Sequence, residues 1–575
     1  MNYYKKSSFN GLHYALPSSS NTIKNWILVS YNHNRLQLIH YFQQIPFRIH
    51  LSFDLWSSPN HRSFLGVVAH WATLEGILKS ATIGFCRFQG PHTGSNIAEV
   101  LWKILERFEI TRKIGYITTD NATNNDTAIS ELATYFGRVG IEFNAQESRV
   151  RCFGHIINLV VKGFLWGEDW EAFEGEVTTE CEVEEASRAL KTWRKRGPLG
   201  KLHNISTWIL RTPQRRDKFI HKVKQLRSSS GSIAGPLLPM VGNVTRWSSD
   251  VDSIERAFVL KEAIDDFVSG AIREERQKRT GRRSTTTTNM QSIDEDILDA
   301  ENPELISIDE LTLDDWEDLK LILRILEPFR RWTLLLQGTG TERIQANGYI
   351  ARVLPAIDEL LSHLEDCKNQ YSDSARYSTH LSSSINRAWA ILDKYETIFL
   401  ALEYTYLLHL NNNTIHRYYA LADRLPAMYA AVALDPETKL QYFQIEWKEH
   451  PEWIETAERL ARELWQDRYR TVSYTNVVLP ARNSSDISLP NSGEDTIVIS
   501  RWKQKRRARL NTTESDQFDR FQFSEEEEEV PDILRYWADR LSNPRWSQLA
   551  HMALEIHSIP AMSAEVERVF SRYYY

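Results

Sequence analysis

Between residues 47 and 88 three runs, FRIHLSFDLW, SFLGVVAHWAT and LKSATIGFCRF, are dominated by β-branched and aromatic residues. The segments SSPNHR and EG interrupt them. Runs of this kind bounded by turn formers read as β-strands. The text then changes period. In NIAEVLWKILERFE, Ile97, Val100, Leu101, Ile104, Leu105 and Phe108 recur at the spacing of one helix face. GYITTD reads as a short buried strand ending at Asp120, and NATNND as a turn opening a helix. Residues 126–136 and 154–165 read as helices, with a strand near 147–153 between them.

The resulting order, β-β-β-α-β-α-β-α, is that of an RNase H-like α/β core: a mixed five-stranded sheet with flanking helices. From about 170 to 470 the chain turns into long amphipathic helical text, such as LKLILRILEPFRRWTLLL and ETAERLARELWQDRYR. The expected organisation is a basic N-terminal arm at 1–46, the first part of the core at 47–168, and a large all-α insertion at 169–477. A disordered loop is expected at 273–310 within that insertion, where the text is charged and low in complexity. A disordered linker follows at 478–530, and residues 531–575 return to complete the core. No solenoid repeat is visible.

Charge and cysteines narrow the classes further. The net charge is −7 over 575 residues, which excludes a uniformly basic nucleic-acid binder. Locally the balance differs. Residues 1–50 hold Lys5, Lys6, Lys24, Arg35 and Arg48 and no carboxylate, a composition suited to a phosphate backbone or to a basic tail. RWKQKRRAR at 501–509 carries six basic residues in nine and reads as a nuclear import signal or a backbone patch. The Glu525–Glu529 run follows it. Cys86, Cys152, Cys181 and Cys367 are widely spaced without a C-x-x-C pair, which argues for reduced thiols. No signal-peptide core and no apolar run of spanning length is present, so a soluble intracellular protein with no membrane partner is expected.

Asp54 closes the first expected strand and Asp120 the fourth. In a mixed sheet of this order strands one and four are neighbours, so two strand-end carboxylates can meet at one edge. Like charges at that distance are costly unless a cation stands between them. A third carboxylate would complete a site for hard, oxygen-preferring Mg²⁺, able to serve both oxygens of a phosphodiester displacement. An Asp after a strand is equally a turn former or helix cap, and composition leaves both readings open.

Several phrases carry a resemblance. SFDLWSSPNHRSFLGVVAHW, GYITTDNATNND, CFGHIINLVVK, NVTRWSS, VALDPETKLQYF and RYWADRLSNPRWSQLAHMALEIHSIPAMSAEVERVFS, in this order, resemble the successive blocks of hAT DNA transposases and span 47 to 571. The resemblance implies a nuclear DNA transposase in which Asp54, Asp120 and Glu567 hold Mg²⁺ or Mn²⁺ and are catalytic. Glu565, two residues earlier, competes with Glu567, and the Arg-Val-Phe-Ser that follows favours Glu567. The resemblance further implies that Arg246 contacts phosphate, that Trp247 stacks on a base, and that His155, four residues into CFGHIINLVVK, contacts DNA. Cys152 and His155 are two candidate zinc ligands, and two do not make a tetrahedral site.

Implied partners are the transposon ends, target DNA, and a second copy, in a homodimer or higher oligomer formed through 531–571. Leu534, Tyr536, Trp537, Leu549, Met552, Leu554 and Ile556 supply the apolar content there. The family's N-terminal BED-type zinc finger has no counterpart before Cys86, so no zinc is expected and the 1–46 arm is read as a remnant of a DNA-binding region. Family members continue past FSRYYY, which leaves Glu567 on a terminal turn expected to fray. The resemblance thus implies truncation at both ends. Its alternative outcome is a catalytically inactive, transposase-derived DNA-binding and dimerising nuclear protein.

Overall fold

Strand β1 (Ile49–Ser57) alternates with period two, and both of its faces are covered. Ile49, Leu51 and Phe53 are fully buried on one face, and His50 and Ser52 on the other. A strand with that burial has to lie inside a sheet. β1 pairs antiparallel with β2 (Ser63–Ala72) and parallel with β4 (Ile114–Thr119). β2 pairs antiparallel with β3 (Leu78–Phe88), and β4 parallel with β5 (Arg149–Arg151). The five-stranded mixed sheet has the order β3-β2-β1-β4-β5. Residues 19–57, 62–166, 197–230, 237–242, 247–283, 309–337, 350–371, 379–400, 425–471, 516–525, 527 and 530–572 are described, in a computed structural model.

The chain divides into two compact units. The first comprises Met1–Cys152, Arg343–Arg352 and Arg424–Tyr575, and the second Phe153–Glu342 and Val353–Asp423. In the first, helix α1 (Ser20–Gln44) occupies most of the stretch expected to be an arm. Only its C-terminal end is anchored: Ile39 and Phe42 are buried, and Phe42 meets the Trp71 ring edge-on at 5.1 Å. The Lys113 ammonium donates to the carbonyls of Phe42 (2.7 Å) and Ile45 (2.6 Å), placing a cation at the negative end of the helix dipole. Helix α2 (Gly94–Arg107) is N-capped by Thr93, whose side chain accepts from Asn96 N–H, and buries Ile97, Leu101, Ile104 and Leu105. Helix α3 (Thr123–Arg138) lies against α2, with Trp102 and Tyr135 stacked at 5.6 Å.

The described elements of the second unit are helices. They include α4 (Phe153–Trp166), α5 (Pro198–Arg211), α6 (Pro213–Ser230), α7 (Trp247–Val259), α8 (Lys261–Arg283), α9 (Leu313–Leu336), α10 (Val353–Gln370) and α11 (Thr379–Leu400). α9 opens with a full capping box between Thr312 and Asp315. Part of the loop expected at 273–310 is therefore helical. α8 runs on to Arg283, anchored in its first half by the buried Ile264, Val268 and Ile272. Residues 284–308 lie outside the described residues.

The chain returns to the first unit earlier than the expected boundary at 477. Helices α12 (Pro426–Ala433), α13 (Gln441–Glu446) and α14 (Pro451–Arg468) already belong to it. Amphipathic periodicity reports that a helix has a buried face and is silent on which core covers it. The expected linker at 478–530 also contains a helix, α15 (Gln517–Gln522). Phe518 and Phe521 bury, and Asp516 caps it by accepting from Asp519 N–H. Residues 472–515, with the basic 501–509 run, lie outside the described residues. The chain ends in α16 (Ile533–Ala538), α17 (Ser547–His557) and α18 (Ala564–Arg572). No helix among the described residues is long and apolar enough to cross a membrane.

Candidate active site

One face of β1 presents His50, Ser52, Asp54 and Trp56 in alternate positions, and β4 supplies Tyr116, Thr118 and Asp120 at its C-terminal edge. Ser52 pairs with Thr118 across the parallel ladder. Two residues further along each strand stand Asp54 and Asp120. They reach the same edge on the same face, because side chains repeat every second residue. β1 continues three residues past Asp54 to Ser57, so this Asp lies within the strand rather than at its end as expected.

The segment leading to α18 covers this face. His50 donates through Nε2 to the Glu555 carbonyl (2.8 Å), its Nδ1 accepting from Tyr116 N–H (3.0 Å). Burial pushes this imidazole down to about 3, so it is neutral. α18 then lies over β1 and β2. It can approach closely because Gly66, the partner of Asp54 across the β1–β2 ladder, has no side chain. A Cβ there would stand 2.7 Å from Val566 Cγ1 and 3.0 Å from Phe570 Cζ. Gly66→Ala is expected to lift α18 and cost about 1–3 kcal/mol; a thermal melt against wild type checks it.

α18 brings Glu567 to Asp54. Burial pushes the Asp54 carboxyl up to about 7, and the Asp120 and Glu567 charges add to the rise. Glu565 points its charge elsewhere, being hydrogen-bonded to Arg568 on its own helix. Residues 54, 120 and 567 thus converge electrostatically although far apart in the chain.

Asp120 is held from several sides. Its Oδ1 accepts from Ala122 N–H (3.0 Å) and from Asn125 Nδ2 (2.5 Å), and Arg149 donates to its carbonyl (2.9 Å). Asn125 is buried and also donates to Thr119 Oγ1 (2.9 Å). The turn-forming reading of Asp120 therefore holds: Oδ1 serves the turn, and Oδ2 takes no hydrogen bond from the described residues. Asp54 is used likewise, its Oδ1 accepting from Leu55 N–H (2.8 Å). Arg149, itself pushed down to about 9 by burial and then by Arg151, is ion-paired with Asp126.

The donor set, three carboxylates with Oδ2 of both aspartates uncommitted, suits a hard divalent cation. Among the described residues no three His, Cys, Asp or Glu side chains stand at metal-ligating spacing. Three like charges repel, and a cation drawing them inward would relieve the repulsion registered at Asp54.

The other expected site residues belong to the helical unit. His155 is half-buried on α4. Trp247 opens α7 with 4% of its surface exposed, and its N–H donates to Asn158 Oδ1 (3.3 Å). Arg246 lies outside the described residues. The apolar side chains named for dimerisation turn inward: Leu534, Trp537, Leu549, Met552, Leu554 and Ile556 are fully buried in their own chain. Sequence reasoning passed over Gly66 and Asn125. A glycine inside an apolar strand signals a close backbone approach and was available as a cue; Asn125 carried no cue beyond its place after the turn.

A family model described as the ZBED1 RNase-like domain matches residues 52–140, and one described as the hAT family C-terminal dimerisation region matches 514–573. The first range contains Asp54 and Asp120, the second Glu567. The putative transcriptional regulator tpeD of Talaromyces stipitatus is 23% identical over 530 residues, covering 91% of this chain and 50% of that protein. The putative AC transposase of Zea mays is 25% identical over 146 residues, 25% of this chain and 18% of its own length. The zinc finger BED domain-containing protein RICESLEEPER 3 of Oryza sativa subsp. japonica is 25% identical over 147 residues, 25% of this chain and 20% of its own. The chain thus spans about half the length of the first relative and matches a fifth or less of the others. The dimerisation-region match supports self-association. Both domain models are matched in family order and transposases are among the relatives, which supports an hAT-family transposase-like protein.

Proposed function

We propose that the chain cleaves and joins DNA strands, with an RNase H-like core interrupted by an all-α insertion and with Asp54, Asp120 and Glu567 holding Mg²⁺ or Mn²⁺. The observation that carries this reading is the convergence of these three carboxylates, contributed by β1, the end of β4 and α18, with Asp54 pushed up to about 7. A divalent cation bound there supplies charge neutralisation at phosphate and an activated water. The chain's own residues do the rest. Ala122 N–H and Asn125 fix one oxygen of Asp120, Leu55 N–H fixes one oxygen of Asp54, and the other oxygen of each is left to the cation. The substrates are transposon ends and target DNA, and the setting is the nucleus. His155, Arg246 and Trp247 are assigned to DNA. Base stacking on Trp247 requires the first turn of α7 to open, given the burial of the ring.

A second reading has its own support. The relative aligned over 91% of this chain is named a putative transcriptional regulator. On that reading the protein binds DNA and dimerises without cleaving. One experiment separates the two. Purified chain is incubated with labelled DNA carrying the element's own ends and Mg²⁺ or Mn²⁺, beside Asp120→Ala. Metal-dependent nicking that disappears with Asp120→Ala supports the nuclease; bound but intact DNA supports the silent regulator.

A further inference from the structure

Glu567 comes from a helix near the end of the described chain, and its position has to be set by whatever grips the segment before it. Residues 556–563 are all buried, and two hydrogen-bonding groups from the sheet hold them. Thr118, fully buried on β4, donates from Oγ1 to the Pro560 carbonyl at 2.7 Å. Cys152 continues the β5 ladder, its N–H donating to the Thr119 carbonyl at 2.9 Å. Its Sγ accepts from both the N–H and the O–H of Ser563, each at 3.3 Å. Ser563 is where α18 begins: its carbonyl accepts from Val566 N–H (3.0 Å) and Glu567 N–H (3.4 Å). A serine at a helix start ordinarily turns its hydroxyl onto the helix's own N–H groups. This hydroxyl is bonded to the Cys152 sulfur.

We infer that Thr118, Cys152 and Ser563 are positioning residues that set the register of Glu567 against Asp54 and Asp120; this rests on the metal-holding reading proposed above. Asp120 follows Thr118 by two residues, just past the end of the strand. Ser563 precedes Glu567 by one helical turn. A shift of Ser563 is therefore passed to Glu567 through a single turn of helix. The role also gives the thiol at 152 a structural reason to stand beside the start of α18. Its sulfur is a long-reaching weak acceptor that holds Ser563 from the sheet.

The test is Mn²⁺ binding to the full chain, followed by electron paramagnetic resonance of free Mn²⁺ in wild type, Thr118→Val, Thr118→Ser, Cys152→Ala, Ser563→Ala and Asp54→Asn, with circular dichroism melts of each. The inference expects Thr118→Val and Cys152→Ala to raise the Mn²⁺ midpoint about tenfold or more, in the range typical of groups that orient ligands. Thr118→Ser, which keeps the donor, is expected to stay within about twofold. A purely structural role would lower the melting temperature and leave the midpoint in place. If Thr118→Val does not fold, Cys152→Ala and Ser563→Ala decide. Midpoints unchanged in these variants, while Asp54→Asn abolishes binding, overturn the inference and leave the metal site standing. Wild type that binds no more Mn²⁺ than Asp54→Asn overturns the metal site itself, and the inference with it.

Discussion

Replacing Asp54 with Asn is expected to abolish strand cleavage and at the same time stabilise the sheet-containing unit at pH 8. On the proposed reading, the loss follows from removing a ligand of a cation asked for several kcal/mol of charge stabilisation, which at about 1.4 kcal/mol per tenfold is a fall of ~10³ or more. The gain follows from the sign of the Asp54 shift. Its folded carboxyl is raised from 3.8 to about 7 by burial and then by Asp120 and Glu567. A raised carboxyl contributes stability that is fully present below its unfolded value near 4 and is lost as pH rises through about 7. At pH 8 the wild-type carboxylate is ionised and repelled, whereas Asn carries no charge. The gain is about 1–3 kcal/mol at pH 8 and vanishes near pH 4. Melts of both proteins without divalent cation at pH 5 and pH 8 check it. A difference that is equal at both pH values would show that the carboxylates do not repel. Adding Mg²⁺ is expected to stabilise wild type and leave Asp54→Asn unmoved.

Lys439→Met is expected to cost about 3 kcal/mol and to loosen the C-terminal return without touching the carboxylates. Lys439 is 1% exposed and carries a left-handed backbone, φ 50°, uncommon for a residue with a side chain. Its ammonium donates to the Ser524 carbonyl (3.0 Å), Ser524 Oγ (2.9 Å) and the Glu525 carbonyl (2.7 Å). It also lies 4.9 Å above the Phe521 ring. Around it Gln522 donates to the Ala433 carbonyl and Trp537 Nε1 to the Leu434 carbonyl, each closing the same join. Methionine keeps most of the volume and strips the donors, leaving buried carbonyls unsatisfied. Urea unfolding monitored by tryptophan fluorescence reads the loss. Lys439→Arg should recover little, because a planar fork does not fit three acceptors gathered around one ammonium.

The VALDPETKLQYF block thus has a mechanical explanation that no pattern in the sequence supplies. Lys439 looks like a surface lysine until Ser524 and Glu525 arrive from 85 and 86 residues away. The sheet is a different matter. Period-two runs and a helical run at 96–109 were enough to place the strands and helices along the chain, because alternation and 3.6-residue spacing are local consequences of backbone geometry; that β1 and β4 are neighbours came from the RNase H-like order this succession matches. That neighbour relation already brought Asp54 and Asp120 to one edge.

Local information ends where a second core competes for the same helix. Residues 426–468 and 517–522 have the periodicity of any amphipathic segment, and only the packing of Phe518, Phe521 and Trp465 assigns them to the sheet-containing unit. The same holds for Glu567. Its place in the chain and the resemblance named it, but its approach to Asp54 depends on Gly66 admitting α18 and on Thr118 and Cys152 gripping the segment before it. Strand identity is written in neighbouring residues, since steric and solvation preferences act within a few positions. The meeting of carboxylates more than 440 residues apart is written in long-range packing, since charge that must be buried together is held there by groups that touch only after the chain has folded.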